Sequence, residues 1–411
     1  MAQGCESMPN LSASSHRRLS PAAGHASRDC NAALLLEYDA AGDAVAILKR
    51  HDSAELCMYD CIWNGEEDPI QQYVPKFEGI VEGTSDDGAV LRWMRVSNLL
   101  KDFRSPKVMD VKLGTRTFLT SEVKNTAARP DLYQRMLAMY PCQVSESERQ
   151  VQSITKLRWM LLRDTNSTIR TLGFRIDGVS GYSHRDKVQV DMELTKFRTR
   201  CQVRDAFWTF VKVAADDNGR EPCGTSMLTL AERLQEQLRG VRSAFERSPF
   251  VKTHECIGTS LLLVADAYGH AGVYWIDFGK TRPLPEGVQV SHRGQWELGS
   301  HEDGLHTGAD SLVSVWEEVV ELVSRGGSAR SGQLVPRAMS HWGGATSTDD
   351  KDAGWDFATR SFSRTGSRHV PNRSRTVRAM MADSKSDPPV VDTPRSSLGV
   401  LVRWIPCSCR R

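Results

Sequence analysis

The 411-residue sequence lacks several features that identify whole classes of protein. No apolar run approaches the roughly 20 residues that a membrane-spanning helix needs, and no secretory apolar segment follows Met1. The 53 Lys and Arg residues nearly balance the 51 Asp and Glu residues, so no field of the whole chain would attract nucleic acid or a membrane surface. We therefore expect a soluble cytoplasmic protein that meets any charged ligand with a local patch.

Cysteine is present but forms no recognisable pattern. The ten cysteines are scattered, and no Cys-x-x-Cys motif is followed by a second pair of Cys or His. A structural zinc site is therefore not expected, and reduced thiols agree with an intracellular location. The remaining composition, 40% hydrophobic and 25% charged, is typical of a globular protein with one large or two modest domains.

Composition divides the chain into segments. Residues 1–32 and 326–411 are rich in Ser, Arg and small residues without a period, so both are predicted to be disordered tails. Residues 33–104 contain short apolar runs separated by turn sequences, which indicates a small strand-rich unit. Residues 105–325 form a larger unit, in which the pattern becomes helical at about 121–171.

Hydrophobic spacing locates several elements within these units. One stripe at helical spacing runs through Leu230, Leu234 and Leu238, and Ser248-Pro249 ends that helix. Two short apolar runs joined by the turn sequence AYGHA indicate a hairpin. We predict strands at 43–50, 260–266 and 272–278, and helical segments at 146–164, 227–245 and 311–323.

The stretch SPKVMDVKLGTRTF, residues 105–118, places Asp110 and Lys112 two positions apart in an apolar run. Residues i and i+2 of a strand point the same way, so the two charges would share one face. Taken alone, such a pair is more often a surface ion pair of little energetic value. Its meaning depends on the other motifs of the chain.

A second informative stretch is VYWIDFGKT, in which Asp277 ends a strand and is followed by Phe278 and Gly279. Kinase folds use such a carboxylate to hold Mg²⁺ against ATP phosphates, and one or two carboxylates suffice for that ion. Lys49, the last residue of VAILK, would supply the cation that meets the ATP phosphates. Each signal is weak alone, because Asp-Phe-Gly and an edge-strand Lys are both common.

The segment HRDKVQVD, residues 184–191, resembles the catalytic loop of protein kinases. The Asn expected five places after its Asp is Asp191 here, and the spacing to Asp277 is far too long. We interpret the segment as a polar loop. A kinase-type metal site without a protein-kinase base remains, and Asp110 with Lys112 would fill that gap.

These signals occur together in one known pattern. Pro106, Asp110, Lys112 and Gly114 match the P-x-x-x-D-x-K-x-G signature of the inositol polyphosphate kinases, which the chain resembles over about residues 33–324. The TLGFRI block and the long helical insert resemble the inositol 1,4,5-trisphosphate 3-kinases in particular. Further matching blocks are TKLRWMLLRDTNSTIRTLGFRIDG (155–178), SPFVKTHECIGTSLLLVAD (248–266), WIDFGKTRPLPEG (275–287) and EDG (302–304).

The resemblance implies an α+β fold of the two-lobed, protein-kinase-like kind with a helical substrate-binding insert. Residues 33–104 would form the ATP-binding lobe, 105–325 the catalytic lobe, and about 121–171 the insert that holds the inositol phosphate. The implied reaction uses ATP and Mg²⁺. It transfers phosphate to the 3-hydroxyl of inositol 1,4,5-trisphosphate and gives inositol 1,3,4,5-tetrakisphosphate.

The resemblance also assigns roles to residues. Asp110 would orient or deprotonate the acceptor hydroxyl, Lys112 would neutralise charge on the moving phosphoryl group, and Asp277 would coordinate Mg²⁺. The implied ATP contacts are Lys49, Ser97, Asn98, Leu99, Asp110 and Asp277, and the implied substrate contacts are Asp110, Lys112, Arg129, Lys156, Arg163 and Lys280.

Local charge agrees with a polyphosphate substrate. Residues 124–170 contain eight Lys or Arg and four acidic residues, although a solvated basic helix face would give the same count. The chain departs from the family at the hinge, where Ser97 and Asn98 replace acidic residues. It also departs at Ser180, which replaces a substrate-contacting Lys. These changes bear on ATP affinity and acceptor selectivity.

Three alternatives remain open at this point. The chain could be an inositol polyphosphate multikinase or inositol hexakisphosphate kinase, although multikinases lack most of the long insert. It could be a catalytically weak inositol-phosphate-binding or calmodulin-binding protein, since DLYQRMLAMY (131–140) is a short apolar and basic segment of the kind that calcium-loaded calmodulin binds. A nucleic-acid binder is least favoured, because the chain is near neutral and its aromatics are not interleaved with the basic tail.

Overall fold

The computed structural model describes residues 18–21, 34–84, 90–181, 194, 197–215, 226–326 and 403–405. Antiparallel sheets and helices alternate along the chain, so the predicted α+β class is confirmed. The strands are β1 (Arg18–Pro21), β2 (Leu34–Tyr38), β3 (Ala44–Arg50), β4 (Phe77–Thr84), β5 (Val90–Ser97), β6 (Lys107–Leu113), β7 (Phe174–Ser180), β8 (His254–Ile257), β9 (Ser260–Ala265), β10 (Ala271–Ile276), β11 (Lys280–Pro283) and β12 (Arg403–Ile405). The helices are α1 (Ser53–Asn64), α2 (Thr120–Val123), α3 (Pro130–Met139), α4 (Glu146–Val151), α5 (Lys156–Thr165), α6 (Ile169–Leu172), α7 (Arg200–Ala215), α8 (Met227–Arg247), α9 (Pro249–Thr253) and α10 (Leu305–Ser324).

The first sheet has six strands in the order β1-β2-β3-β5-β4-β12. Alternation along β3 buries Leu48 on one face, so Lys49 leaves the sheet on the other. The strand predicted at 43–50 is confirmed. A small apolar core covers one face of this sheet and contains Leu35, Leu48, Val81, Leu91 and Trp93.

Helix α1 interrupts the strands of this unit, and the sequence did not predict it. Asp52 caps its first turn, since one carboxylate oxygen accepts hydrogen bonds from Ala54 N at 2.9 Å and Glu55 N at 3.0 Å. Met58 and Ile62 are buried beneath the helix. The two exposed cysteines and the polar residues of SAELCMYDCIWN weaken its periodicity, which explains the missed prediction.

The second sheet has four strands in the order β10-β9-β6-β7. The predicted hairpin is confirmed as β9 and β10, which pair antiparallel from Ser260↔Ile276 to Ala265↔Ala271. Every residue of β9 is buried, because β6 and β10 flank it and helices cover the sheet. Strand β6 lies between β9 and β7, so Asp110 and Lys112 are held from both sides.

Two long helices pack together beside this sheet. Helix α8 is confirmed where it was predicted, and Ser248 begins the next short helix by accepting a hydrogen bond from Val251 N. Helix α10 was predicted at 311–323, but it begins at Leu305, after Gly304 in a left-handed conformation. Its first turn contains the buried His306, and such polar residues hid the start of the apolar stripe.

Helices α2 to α6 form the insert and have an apolar core of their own. The helical segment predicted at 146–164 is divided into α4 and α5, because Gln152 adopts a left-handed conformation and Ile154 pairs with Arg129. Val151, the last residue of α4, is 66% exposed. The buried members of the insert core are Phe118, Leu132, Tyr133, Met136, Tyr140, Val144, Ile154, Trp159, Met160 and Leu162.

Short strands occur within both tails that the sequence predicts to be disordered. Strand β1 pairs with β2 and strand β12 pairs with β4, since a sheet edge offers unpaired backbone groups to any further strand. The rest of both tails lies outside the described residues, as does the whole of the kinase-like segment at 184–191. Within the described part of the chain, each helix is too short or too polar to cross a bilayer.

The loop after β6 is fixed by Asp303 of the EDG block. Its carbonyl accepts a hydrogen bond from Thr115 N at 2.7 Å, and its carboxylate accepts one from Cys256 N at 2.7 Å. Gly114 has a φ of +99°, and a Cβ there would lie 2.8 Å from the Asp303 carbonyl oxygen. The glycine of the signature motif is therefore required by a close backbone approach, which fixes the end of β6.

His292 is buried against the same carboxylate. Its Nδ1 lies 2.9 Å from Asp303 Oδ1 and its Nε2 lies 3.0 Å from the Val251 carbonyl oxygen. Both partners are acceptors, so both ring nitrogens donate and the imidazole is charged. Burial acts to lower the pKa of His292, but Asp303 raises it above the ordinary value of 6.5. His306 packs edge-on against the ring, and burial with the His292 charge lowers the pKa of His306 to about 4.

We expect the stabilisation by His292 to depend on pH. A group with a raised folded pKa stabilises the fold fully below its unfolded pKa and loses that effect as pH rises through the folded pKa. His292→Asn should therefore lower the free energy of unfolding by about 2 kcal/mol more at pH 6 than at pH 9. Urea unfolding of both proteins at the two pH values measures the difference. Equal losses at both pH values would contradict the charged state.

Candidate active site

A cavity of about 310 Å³ is lined by residues of the six-stranded sheet, the four-stranded sheet and the two-stranded β8–β11 sheet, with the insert helix α5 along one side. Strands β3 and β6, from different sheets, both contribute to its wall. Its remaining wall includes Trp159, Met160 and the backbone at Gly258 and Gly279. The charged side chains that line it are the basic Lys49, Lys112, Arg163, Arg175 and Lys280 and the acidic Glu55, Asp177 and Asp277.

One wall of the cavity carries a linked trio of charges. Lys49 Nζ lies 2.7 Å from Glu55 Oε1 and 2.9 Å from Asp277 Oδ1. Burial acts to lower the pKa of Lys49, but Asp277 and Glu55 together raise it above its ordinary value. Lys49 and Asp277, 228 positions apart, are thus brought together.

Glu55 of this trio was missed by the sequence analysis. Burial raises the pKa of Glu55 and Lys49 opposes the rise, while Glu55 Oε1 also accepts a hydrogen bond from Phe278 N at 3.2 Å. The carboxylate therefore links α1 to the segment after β10. The capping Asp52 before it is the signal that could have located the helix and placed Glu55 on it.

Asp277 follows β10 in a left-handed conformation, with a φ of 68°. A non-glycine residue with this backbone is uncommon and is found most often at functional sites. Burial acts to raise the pKa of Asp277, but Lys49 and Lys112 lower it, so the carboxylate is ionised. The strained backbone thus presents an anion to the cavity.

Lys112 lines the cavity, and Asp110 lies two positions before it on the same face of β6. Lys112 Nζ donates to the Gly258 carbonyl oxygen at 2.9 Å and to Ser260 Oγ at 3.1 Å, which fixes its position. Asp110 Oδ1 is buried and has no hydrogen-bond partner within the described residues. Burial raises the pKa of Asp110 to about 6, although Lys112 opposes the rise. An unpartnered buried carboxylate oxygen is a costly feature that suits a site for a ligand.

The other wall holds cations from the insert and from β11. Lys280 Nζ donates to the Thr117 carbonyl oxygen at 2.9 Å and to Glu122 Oε2 at 2.8 Å. Lys156 Nζ lies 2.6 Å from Glu122 Oε1, and its side chain is 43% exposed but does not line the cavity itself. Burial acts to raise the pKa of Glu122, but the hydrogen bonds from these two lysines lower it to about 2.

Two charged residues of β7, Arg175 and Asp177, line the cavity and were not predicted as site residues. Arg163 Nη2 lies 2.5 Å from Asp177 Oδ1, and Arg175 Nε lies 3.1 Å from the same oxygen. Both belong to the GFRIDG block, whose alternation puts Arg175 and Asp177 on one face of a strand. That spacing could have indicated a shared face for the two residues, but not that the face lies on the cavity.

Some predicted contacts are not brought to the cavity. Arg129 is exposed and paired with Asp131, at 2.6 Å. At the hinge, Asn98 Nδ2 donates to the Ala44 carbonyl oxygen at 2.7 Å and Asn98 Oδ1 accepts from Leu100 N at 3.0 Å, so that amide is already engaged. Ser97 Oγ accepts a hydrogen bond from Lys76 N at 2.9 Å, and Leu99 packs partly buried next to the hinge.

The donor set agrees with a divalent cation that brings its own phosphate ligands. Asp277 offers one ionised carboxylate to the cavity, and magnesium sites of this kind take one or two carboxylates together with substrate phosphates and water. Among the described residues, no group of three or more His, Cys, Asp and Glu side chains forms a metal site. Asp277 is therefore the residue that would hold such an ion.

Comparison with known proteins identifies the family. Residues 93–317, more than half of the chain, match the family model described as inositol polyphosphate kinase. Inositol-trisphosphate 3-kinase B of Homo sapiens is 37% identical over 277 residues, or 66% of this chain and 27% of that protein. Inositol-trisphosphate 3-kinase A of Rattus norvegicus is 35% identical over 288 residues, or 69% of this chain and 57% of that protein.

This chain thus spans between about a quarter and three fifths of the length of these two relatives. Among solved structures, the inositol phosphate multikinase Ipk2 of S. cerevisiae, in complex with ADP and Mn²⁺, is 16% identical with a TM-score of 0.43, and the match covers 67% of this chain and 98% of that chain. The family-model match confirms the resemblance that the signature motifs indicated. The chain belongs to the inositol polyphosphate kinase family.

Proposed function

We propose that this protein is an ATP- and Mg²⁺-dependent kinase that phosphorylates inositol 1,4,5-trisphosphate at its 3-hydroxyl. The observation that carries the proposal is one cavity lined by the Lys49–Asp277 pair, Lys112, Arg163 and Lys280, with Asp110 two positions before Lys112 on β6. The names of its relatives in human and rat support the acceptor and the position of transfer.

Two sets of charges would bind the two substrates. Lys49 would contact the ATP phosphates, and Glu55 would hold that lysine in position. Lys112, Arg163 and Lys280 would bind the phosphates of the acceptor, together with the exposed Lys156 that shares Glu122 with Lys280. Arg forks onto a phosphate and Lys acts as a point charge. A cation bound at Asp277 would supply charge neutralisation at phosphate oxygens.

The transfer step would depend on the pair on β6. The free Asp110 Oδ1 would accept a hydrogen bond from the acceptor hydroxyl, orient it and take its proton. The acceptor oxygen would form its bond to the γ-phosphorus of ATP while the bond from that phosphorus to the bridging oxygen breaks and ADP leaves. Asp110 is ionised at neutral pH, because its pKa is about 6. Lys112 would meet the negative charge that develops on the phosphoryl group, and its two fixed contacts reduce reorganisation during the step.

The direct test is a kinase assay on the full chain with ATP, Mg²⁺ and inositol 1,4,5-trisphosphate. Chromatographic mapping of the product should give inositol 1,3,4,5-tetrakisphosphate alone. A second phosphorylated position would instead favour the multikinase or hexakisphosphate kinase alternatives. No measurable ATP binding in Mg²⁺ would favour the catalytically weak binding protein.

Arg163→Ala tests the acceptor side of the cavity. Because the guanidinium lines the cavity but does not contact the Lys49–Asp277 pair, we expect the KM for trisphosphate to rise about 10-fold or more while the KM for ATP stays within about twofold. Steady-state kinetics with each substrate varied in turn measures both constants. The matched control is Arg170→Ala, which removes an exposed arginine of α6. Equal changes in both constants would contradict the assignment of Arg163.

Calmodulin binding at 131–140 and cytoplasmic residence stay predictions. Leu132, Tyr133 and Met136 of that segment are buried in the insert core, whereas Met139 is exposed. Calmodulin takes the apolar face of its target helices. Binding here would therefore require α3 to leave the insert core.

A further inference from the structure

The acceptor side of the cavity holds a carboxylate among its cations, and this feature has no role in the transfer step described above. We propose that Asp177 is a specificity-determining residue that disfavours inositol phosphates carrying more than three phosphates. The proposal rests on the proposed function. In chemical terms, Asp177 accepts a hydrogen bond from a free ring hydroxyl of the acceptor and repels a phosphate at the same position.

The backbone of β7 departs from regular strand pairing at this carboxylate. Val111 pairs with Ile176 and Asp110 pairs with Gly178, so Asp177 is the extra residue of a β-bulge. In a regular ladder Asp177 would lie directly opposite Asp110, and like charges in that position destabilise a sheet. The bulge removes Asp177 from direct pairing with Asp110, while the Asp177 side chain still lines the cavity.

Arg175 does not depend on Asp177 alone for a carboxylate partner. Arg175 already has a second carboxylate partner, because its Nη1 lies 2.9 Å from Asp164 Oδ1, and Thr117 Oγ1 donates to Asp164 as well. Asp164 does not line the cavity, whereas Asp177 does, and the Asp177 side chain is 17% exposed. Asp177 therefore adds a negative charge to the ligand space itself.

Asp177 is ionised where the ligand would bind. Burial acts to raise its pKa, but Arg175, Arg163 and Lys112 lower it well below the ordinary value. Its repulsion of a bound inositol phosphate grows with the number of phosphates, because Coulomb energy is proportional to the ligand charge. The same charge disfavours the tetrakisphosphate product relative to the substrate, which assists product release.

Asp177→Asn tests the proposal, since it removes the charge and keeps the shape. The equilibrium readout is the Kd for inositol hexakisphosphate and for inositol 1,4,5-trisphosphate, measured by calorimetry on the full chain. We expect the affinity for hexakisphosphate to rise about 10-fold more than that for trisphosphate. The kinetic readout is product inhibition. In Asp177→Asn the inhibition constant of inositol 1,3,4,5-tetrakisphosphate should fall relative to the KM for inositol 1,4,5-trisphosphate.

Two variants separate charge from structure. Asp177→Glu keeps the charge and should keep the wild-type ratio of the two Kd values. Asp164→Asn removes the charge of the other carboxylate partner of Arg175, which does not line the cavity. This variant should also leave the ratio of the two Kd values unchanged. Thermal unfolding of each variant reports any loss of folding.

The outcomes are decisive in both directions. An unchanged ratio of Kd values in Asp177→Asn would overturn the proposal, as would an equal shift in Asp164→Asn, because Asp177 would then act only by holding arginines. Absence of turnover with trisphosphate in the wild-type protein would refute the proposed function instead. The binding ratio does not depend on turnover, so it still decides the role of Asp177.

Discussion

Asp277→Asn is expected to lower kcat with ATP and inositol 1,4,5-trisphosphate by about three orders of magnitude or more. Asp277 is the carboxylate that would hold the divalent cation, and it is also the cavity partner of Lys49 at 2.9 Å. The amide of Asn is a poor ligand for magnesium and offers Lys49 no charge. The phosphate oxygens of ATP would then lose the charge of the divalent cation that neutralises them during transfer.

The fold should survive this change. Asn is among the few residues that adopt a left-handed conformation readily, and Asp277 has a φ of 68°. Glu55 remains as a partner for Lys49 at 2.7 Å. We therefore expect the melting temperature to stay near that of the wild type while the rate falls.

The measurement pairs a rate with a binding constant. Besides turnover, ATP affinity in Mg²⁺ should fall towards the value found in EDTA, which reports the metal directly. Asp310→Asn, which changes a carboxylate bound to Arg242 on the surface, is the matched control. Retention of more than about a tenth of wild-type kcat would show that another group holds the ion.

The sequence could predict those parts of the site that depend on the spacing between residues close together in the chain. Asp110 and Lys112 share a face because strand residues two apart always do, and the apolar run around them identified the strand. Asp277 could be placed because a hairpin of two apolar runs preceded it. Local spacing was sufficient in each case.

The missed residues depend on features that spacing does not encode. Glu55 lies on a helix whose apolar stripe is weak. Its place in the site depends on the hydrogen bond from Lys49 of the sheet, which the spacing of residues along the chain does not predict. Asp177 reaches the cavity beside Asp110 through a bulge, and a bulge is set by the pairing of two strands. The opposite case is Arg129, which was predicted as a substrate contact from the family resemblance. In the structure it pairs with Asp131 outside the cavity.

The second large effect is expected for Lys112→Ala, which should lower kcat about 1,000-fold. Lys112 Nζ is fixed by the Gly258 carbonyl oxygen and Ser260 Oγ, so its charge is already in place when the transfer begins. Lys112→Met, which keeps most of the stem, should lose nearly as much, because the charge rather than the packing is responsible. Lys107→Ala is the control, since Lys107 lies on the same strand and donates to the Gly181 carbonyl oxygen outside the cavity.

A second consequence distinguishes this role from a purely structural one. Lys112 opposes the rise in the pKa of Asp110, which stands at about 6 with the lysine present, while burial, Asp177 and Asp277 raise it. Removing Lys112 should therefore raise that pKa further, and a base with a higher pKa is protonated up to a higher pH. The acidic limb of the pH–rate profile should shift to higher pH in the residual activity of Lys112→Met. A lower rate with an unshifted profile would mean that Lys112 and Asp110 do not act on the same hydroxyl.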